Sequence, residues 1–158
     1  MNLPWNRAFE RGIMSKPRAT WNEKLRSSKA PEVKRLHRAF GGMPEGSRML
    51  IASPIILDES VRMICPGQTM TVKCLRDHLA NRYLADHACP VTTGIFLRIV
   101  AEAAWERYLA GESIESITPF WRVVEPDSLL ARKLACGREF IVQQRLAESQ
   151  LLMGKTRT

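Results

Sequence analysis

The stretch "TVKCLRDHLANRYLADHACPVTTGIFLRIVAEAAWERYL", Thr71 to Leu109, decides the fold. Val72, Leu75, Leu79 and Tyr83 recur at helical spacing behind Thr71, which has the right chemistry for an N-cap. That predicts one helix from about Thr71 to Leu84. "ADHACPVTTG", 85–94, reads as a polar turn around Pro90. A second helix is expected from near Thr93 through Ile95, Phe96, Ile99, Val100, Ala103 and Ala104 to Leu109, stopped by Gly111. Helix, turn and helix are then followed by a short aromatic and β-branched stretch, "ITPFWRVV" (Ile117 to Val124), which reads as strand-like. A turn at "EPDS" and a last helix complete the chain. This is the element order of a winged helix-turn-helix, a mainly α, α+β fold.

Upstream, Trp21 to Leu25 reads as a short amphipathic helix. Glu32 to Phe40 reads as another, because Val33, Leu36, His37 and Phe40 are helically spaced. "GGMPEG", 41–46, is a linker. "MLIASPIIL", 49–57, is broken by Pro54 and predicts an extended segment entering a short helix capped by Asp58. The expected organisation is a flexible basic tail over 1–20, a helical extension and linker over 21–46, a winged-helix domain over 47–153 and a tail over 154–158. Met14 offers an alternative start.

Composition narrows the class. Of 158 residues, 45% are hydrophobic and 25% charged, ordinary for one domain with a real core. No apolar run approaches the roughly 20 residues of a membrane span, and no signal-peptide core is present, which implies a cytoplasmic chain. The net charge of +8 is unevenly placed. Residues 1–40 hold ten Lys/Arg against three acids, and the remainder holds fourteen against thirteen. The basic excess is an N-terminal arm, suited to phosphate contacts or to plain solvation.

Cys65, Cys74, Cys89 and Cys136 follow no disulfide framework and read as free thiols. Cys89 lies just before a helix start, so it is either an activated thiol or a small buried hydrophobe. Cys74, His78, His87 and Cys89 lack the spacing of zinc knuckles, so no metal and no cofactor are expected. Thr92, Thr93 and Gly94 open the second helix and either hold a phosphate or cap it. Arg98 and Arg107 face DNA or solvent. Trp21 and Trp105 read as packing residues.

The order "PG-x(3)-T", "CPVTTGIF", "ITPFWRVV" and "RLAES" resembles the C-terminal domain of the alkylguanine-DNA alkyltransferases (the MGMT family), over about residues 20–150. It is most similar to a divergent bacterial branch that begins near "TWNEKLRSSK". Active members carry Pro-Cys-His-Arg-Val, in which a thiolate takes the alkyl group from a flipped guanine. A free cysteine, with a pKa of about 8.5, needs the adjacent base for that. Here Pro119 falls on the proline, Phe120 on the cysteine and Trp121 on the histidine. Arg122 and Val123 match, and Glu148 falls near the family's orienting glutamate.

Both reactive groups are therefore absent. The resemblance implies a non-catalytic, alkyltransferase-like protein that binds double-stranded DNA and recognises alkylated guanine by base flipping. Pro119, Phe120, Trp121 and Arg122 would line the base pocket. Thr71, Thr92, Thr93, Gly94 and Arg98 would lie at the DNA. The alternative role for the aromatic pair is core filling, and the alternative function is a winged-helix domain for a protein partner. Other departures are Val72 where the family has a phosphate-rotating tyrosine, the lack of an arginine among Thr92 to Gly94, and "ERYLAGESIES" in place of an asparagine-proline hinge.

Overall fold

The computed structural model describes residues 17–156, and the chain folds as α+β around one long helix. The elements are α1 (Trp21–Arg26), β1 (Glu32–Arg35), β2 (Arg48–Ile51), α2 (Pro54–Arg62), α3 (Val72–Arg82), β3 (His87–Ala88) and α4 (Pro90–Leu109). A 3-10 turn (Phe120–Arg122), α5 (Leu129–Lys133) and α6 (Gly137–Lys155) follow. The expected tail over 1–20 lies mostly outside the described residues. Pro17 to Thr20 are irregular, and Thr20 caps α1 in a reciprocal box with Glu23.

The three strands form one sheet in the order β1-β2-β3. β1 and β2 pair antiparallel, with Val33 opposite Leu50, and β2 and β3 pair parallel, with Leu50 opposite Ala88. Leu50 is thus the central residue of the sheet and is fully buried. The helix expected over Glu32 to Phe40 is not formed. Pairing with β2 satisfies that backbone, and only Val33 of β1 turns towards the core.

Other boundaries move for local reasons. Ser53, not Asp58, caps α2, its side chain accepting from the Ile56 N–H, and Pro54 takes the first helical position, where no N–H is needed. Asp58 is inside the helix and accepts from Arg62 Nε at 2.9 Å and from the Thr118 hydroxyl. Pro90 likewise starts α4, three residues before the expected start, and residues 87–88 of the expected turn are a strand. Thr71 does cap α3, accepting from Cys74 N at 3.1 Å. α3 ends at Arg82, and Leu84 turns the chain with φ 54°. The last helix runs to Lys155, into the segment expected as a tail.

Helix α4 is the axis of the packing. α1 and α2 lie on it, and the 3-10 turn packs between it and α6. Leu97, Val100, Ala101 and Ala104 face the core, where they join Leu57, Leu75, Leu79, Phe120 and Ile141. α1 is fastened to α4 by a carboxylate. Glu106 accepts the backbone N–H groups of Trp21 and Asn22 at 2.9 and 3.0 Å, two of the unsatisfied donors at the start of α1. Among the described residues no helix is long and apolar enough to cross a membrane.

Candidate functional site

Residues 117–124 do not form the expected strand. Pro119 leads into a 3-10 turn in which Arg122 N and Val123 N bond back to the carbonyls of Pro119 and Phe120. With a turn here instead of a strand, no hairpin follows α4 among the described residues. The sheet comes from segments that precede α4.

The turn drives its aromatic pair inward. Phe120 is 0% exposed and Trp121 2%. Their rings meet edge-on at 5.5 Å, and Phe140 of α6 lies against both at 6.0 Å. Trp105 and Tyr108 of α4 extend the cluster through Phe140. Trp121 therefore offers no open ring face to a base, and its indole N–H donates to Glu148 Oε1 at 3.0 Å.

Glu148 is the hub of this region. Arg122 donates to it through Nη2 at 2.7 Å and Nε at 3.0 Å, and Gly67 N donates at 2.9 Å. Arg122 also reaches the Ile64 carbonyl, and its own carbonyl accepts from Met70 N at 2.8 Å. Arg145 closes the other side, donating to the Trp121 carbonyl at 2.6 Å. Gly67 has φ +82°, a left-handed backbone that strains any residue with a Cβ, and a Cβ there would also displace the Leu152 side chain of α6. Burial pushes the Glu148 carboxyl up, but the bonds from Arg122, Gly67 and Trp121 outweigh it and hold the group below its ordinary value. The network binds three segments together and contains neither a thiol nor an imidazole.

The thiols are elsewhere. Cys89 is buried and precedes Pro90 of α4 without a side-chain cap bond. Cys136 is half-buried, and burial with the nearby Glu102 charge pushes its pKa to about 11, away from reactivity. Cys65 and Cys74 are exposed. Among the described residues no group of three or more His, Cys, Asp or Glu side chains is placed to hold a metal ion.

An open site lies on the other face of α4. Its N-terminal half leaves Val91, Gly94, Ile95, Arg98 and Ile99 along a groove of about 480 Å³, which α1 closes with Trp21 and Lys24 and α5 with Leu130 and Lys133. Lys24 Nζ lies 4.1 Å from the Trp21 ring centre and Arg98 Cζ 5.4 Å from the same ring. Arg98 Nη2 donates to the Lys133 carbonyl at 3.3 Å, and its Nε is buried without a hydrogen-bond partner, 3.9 Å from Glu102. Two cations thus lie against one indole, and a third, Lys133, lines the same groove.

The expected DNA contacts divide accordingly. Gly94 and Arg98 line the groove. Thr92 has its hydroxyl buried and unpartnered. Thr93 is fully buried and donates to the Cys89 carbonyl at 2.6 Å, so it is neither a cap nor a surface contact. Thr71 is exposed but is spent on its cap. Trp21, Lys24 and Lys133 were not singled out from the sequence as groove residues. They come from distant segments, and the one local signal was a glycine inside α4.

No family model, curated protein or solved structure matches this chain. The reading of its function therefore rests on the groove and the buried turn.

Proposed function

We propose that the chain is a non-catalytic, alkyltransferase-like protein that binds double-stranded DNA through the exposed face of α4 and its basic surroundings. One observation carries the reading: Lys24, Arg98 and Lys133 from three separate elements converge on the open half of α4. Clustered cations on one helix face suit phosphate oxygens, and the basic N-terminal arm adds Arg7, Arg11 and Lys16 to the same sign of field. The buried Phe120 and Trp121 support a chain without transfer chemistry, and they argue for contact with the duplex backbone over a base held at the 3-10 turn.

The test is a titration of the protein with a paired duplex over a salt series. Binding through phosphates weakens steeply as salt rises, and log K falls linearly with log salt. Removing residues 1–16, which leaves the Thr20 cap of α1 intact, should lower that slope. Absence of duplex binding at low salt would overturn the proposal.

A second reading has its own observation. Leu146 and Met153, seven residues apart, are exposed on one face of α6, an apolar pair suited to a protein partner. Association that is insensitive to salt, without duplex binding, would favour this interaction-domain reading.

A further inference from the structure

The geometry points to a binding site for a nucleoside monophosphate in the groove between α1, α4 and α5, beyond any contact with paired DNA. The groove has two chemically distinct parts. Val91, Ile95, Ile99 and Leu130 give it apolar surface. Lys24, Arg98 and Lys133 give it positive charge. A ligand that matches both must join a flat, weakly polar body to a compact anion. A nucleoside monophosphate does so, and a volume of about 480 Å³ falls within the usual range for small-ligand sites.

The cations are arranged for an anion. Lys24 and Arg98 sit over the same indole, each held by the ring quadrupole and each repelling the other. A phosphate bound in the groove that Lys24, Arg98 and Lys133 all line would be attracted by each of them. Arg98 is positioned before any ligand arrives. The Lys133 carbonyl holds one end of its guanidinium, and Glu102 lies beside Nε. A planar guanidinium fixed in this way is suited to phosphate oxygens. Its buried Nε has no hydrogen-bond partner.

Gly94 is the second mark of a site. It stands inside α4, where glycine costs about 1 kcal/mol relative to alanine. It needs no special backbone angle there, and a Cβ added to it meets nothing within 4 Å. Neither conformation nor packing asks for glycine. Its effect is to leave the floor of the groove open between Val91 and Arg98, where a ring can lie against the helix backbone.

The same phosphomonoester occurs in a free nucleotide and at the 5′ end of a nucleic-acid strand. The experiment uses the full chain with adenosine 5′-monophosphate, adenosine, inorganic phosphate, and a short oligonucleotide with and without a 5′-phosphate. Calorimetric titration should show the monophosphate binding about tenfold or more tightly than adenosine or phosphate alone, because only it engages both parts. Gly94→Leu fills the floor and should weaken monophosphate binding by about tenfold or more, while its melting temperature stays at or above that of the parent. Lys133→Glu should weaken binding through the other part and provides a second check on a separate element. Tighter binding of the 5′-phosphorylated strand than of the mononucleotide assigns the site to strand ends, and the reverse order assigns it to free nucleotide. The inference is overturned if adenosine or phosphate alone binds as well as the monophosphate, or if Gly94→Leu and Lys133→Glu both bind like the parent. Paired-duplex affinity is measured in parallel. The chain lacking residues 1–16 keeps every groove residue, so its duplex affinity should fall while its monophosphate affinity stays within about twofold, and failure of the groove and failure of duplex binding read out separately.

Discussion

Arg122 and Glu148 form a two-point pair, with Nη2 2.7 Å from Oε1 and Nε 3.0 Å from Oε2, and their side chains are only 11% and 12% exposed. The pair joins the 3-10 turn to α6. Gly67 and Trp121 donate to the same carboxylate, so the loop before α3 is tied in as well.

Glu148→Ala should therefore be among the most damaging single changes. It leaves a nearly buried guanidinium and an indole N–H without their acceptor. Breaking a buried pair from one side costs about 3–5 kcal/mol. The fold holds the Glu148 carboxyl below its ordinary value, so the ionised form is the stabilising one. Its contribution is present above the unfolded value and is lost as pH falls through the lowered folded value. Melting curves of parent and variant should lie far apart at neutral pH and converge in acid. A gap that does not depend on pH would contradict this.

Trp121→Ala should cost about 3–5 kcal/mol of folding stability, the usual range for a buried aromatic cut to alanine. The ring is 2% exposed and packs on Phe120 and Phe140. Chemical denaturation measures the loss. A variant of parental stability that has lost duplex binding would place Trp121 at the DNA instead.

Glu102 behaves oppositely to Glu148. It is 3% exposed, and burial raises its pKa against the opposing effects of the Ala135 N–H and Arg98. Its ionised form is disfavoured by folding, so the stability linked to it is greatest in acid and is lost as pH rises through the raised value. Glu102→Gln keeps an oxygen for Ala135 N and removes the buried charge. The variant should melt at or above the parent temperature near neutral pH, with the difference shrinking as pH falls. A deficit that grows towards neutral pH would show that the Arg98 contact outweighs burial.

Thiol chemistry should follow exposure. In the native protein a disulfide reagent should titrate Cys65 and Cys74 first, Cys136 more slowly, and Cys89 only on unfolding. Incubation with methylated-guanine DNA should leave the protein mass unchanged, because Phe120 cannot form the covalent bond. A methyl adduct on any cysteine, seen by mass spectrometry, would contradict this.

Much of the helical framework was legible along the chain. Thr71 marked the start of α3, Trp21 to Leu25 marked α1, and the apolar spacing from Ile95 to Ala104 marked the body of α4, because caps and a 3.6-residue period are local properties. That positions 120 and 121 hold phenylalanine and tryptophan, neither a thiol nor an imidazole, was equally legible, since it depends only on which residues are present. Tertiary structure decided the rest. Val33, Leu36 and Phe40 satisfy a helical period, yet β1 forms because β2 supplies its hydrogen-bond partners from a segment further along the chain. Phe120 and Trp121 look the same in sequence whether they line a pocket or fill a core, and the 3-10 turn with the Glu148 network sets them inward. The groove was the least legible feature. Trp21, Lys24, Arg98 and Lys133 are far apart in sequence and meet only because Glu106 fastens α1 to α4 and Arg98 reaches α5. Periodicity and capping report what a segment does with its own backbone, whereas a site assembled from three segments depends on distances that only packing creates.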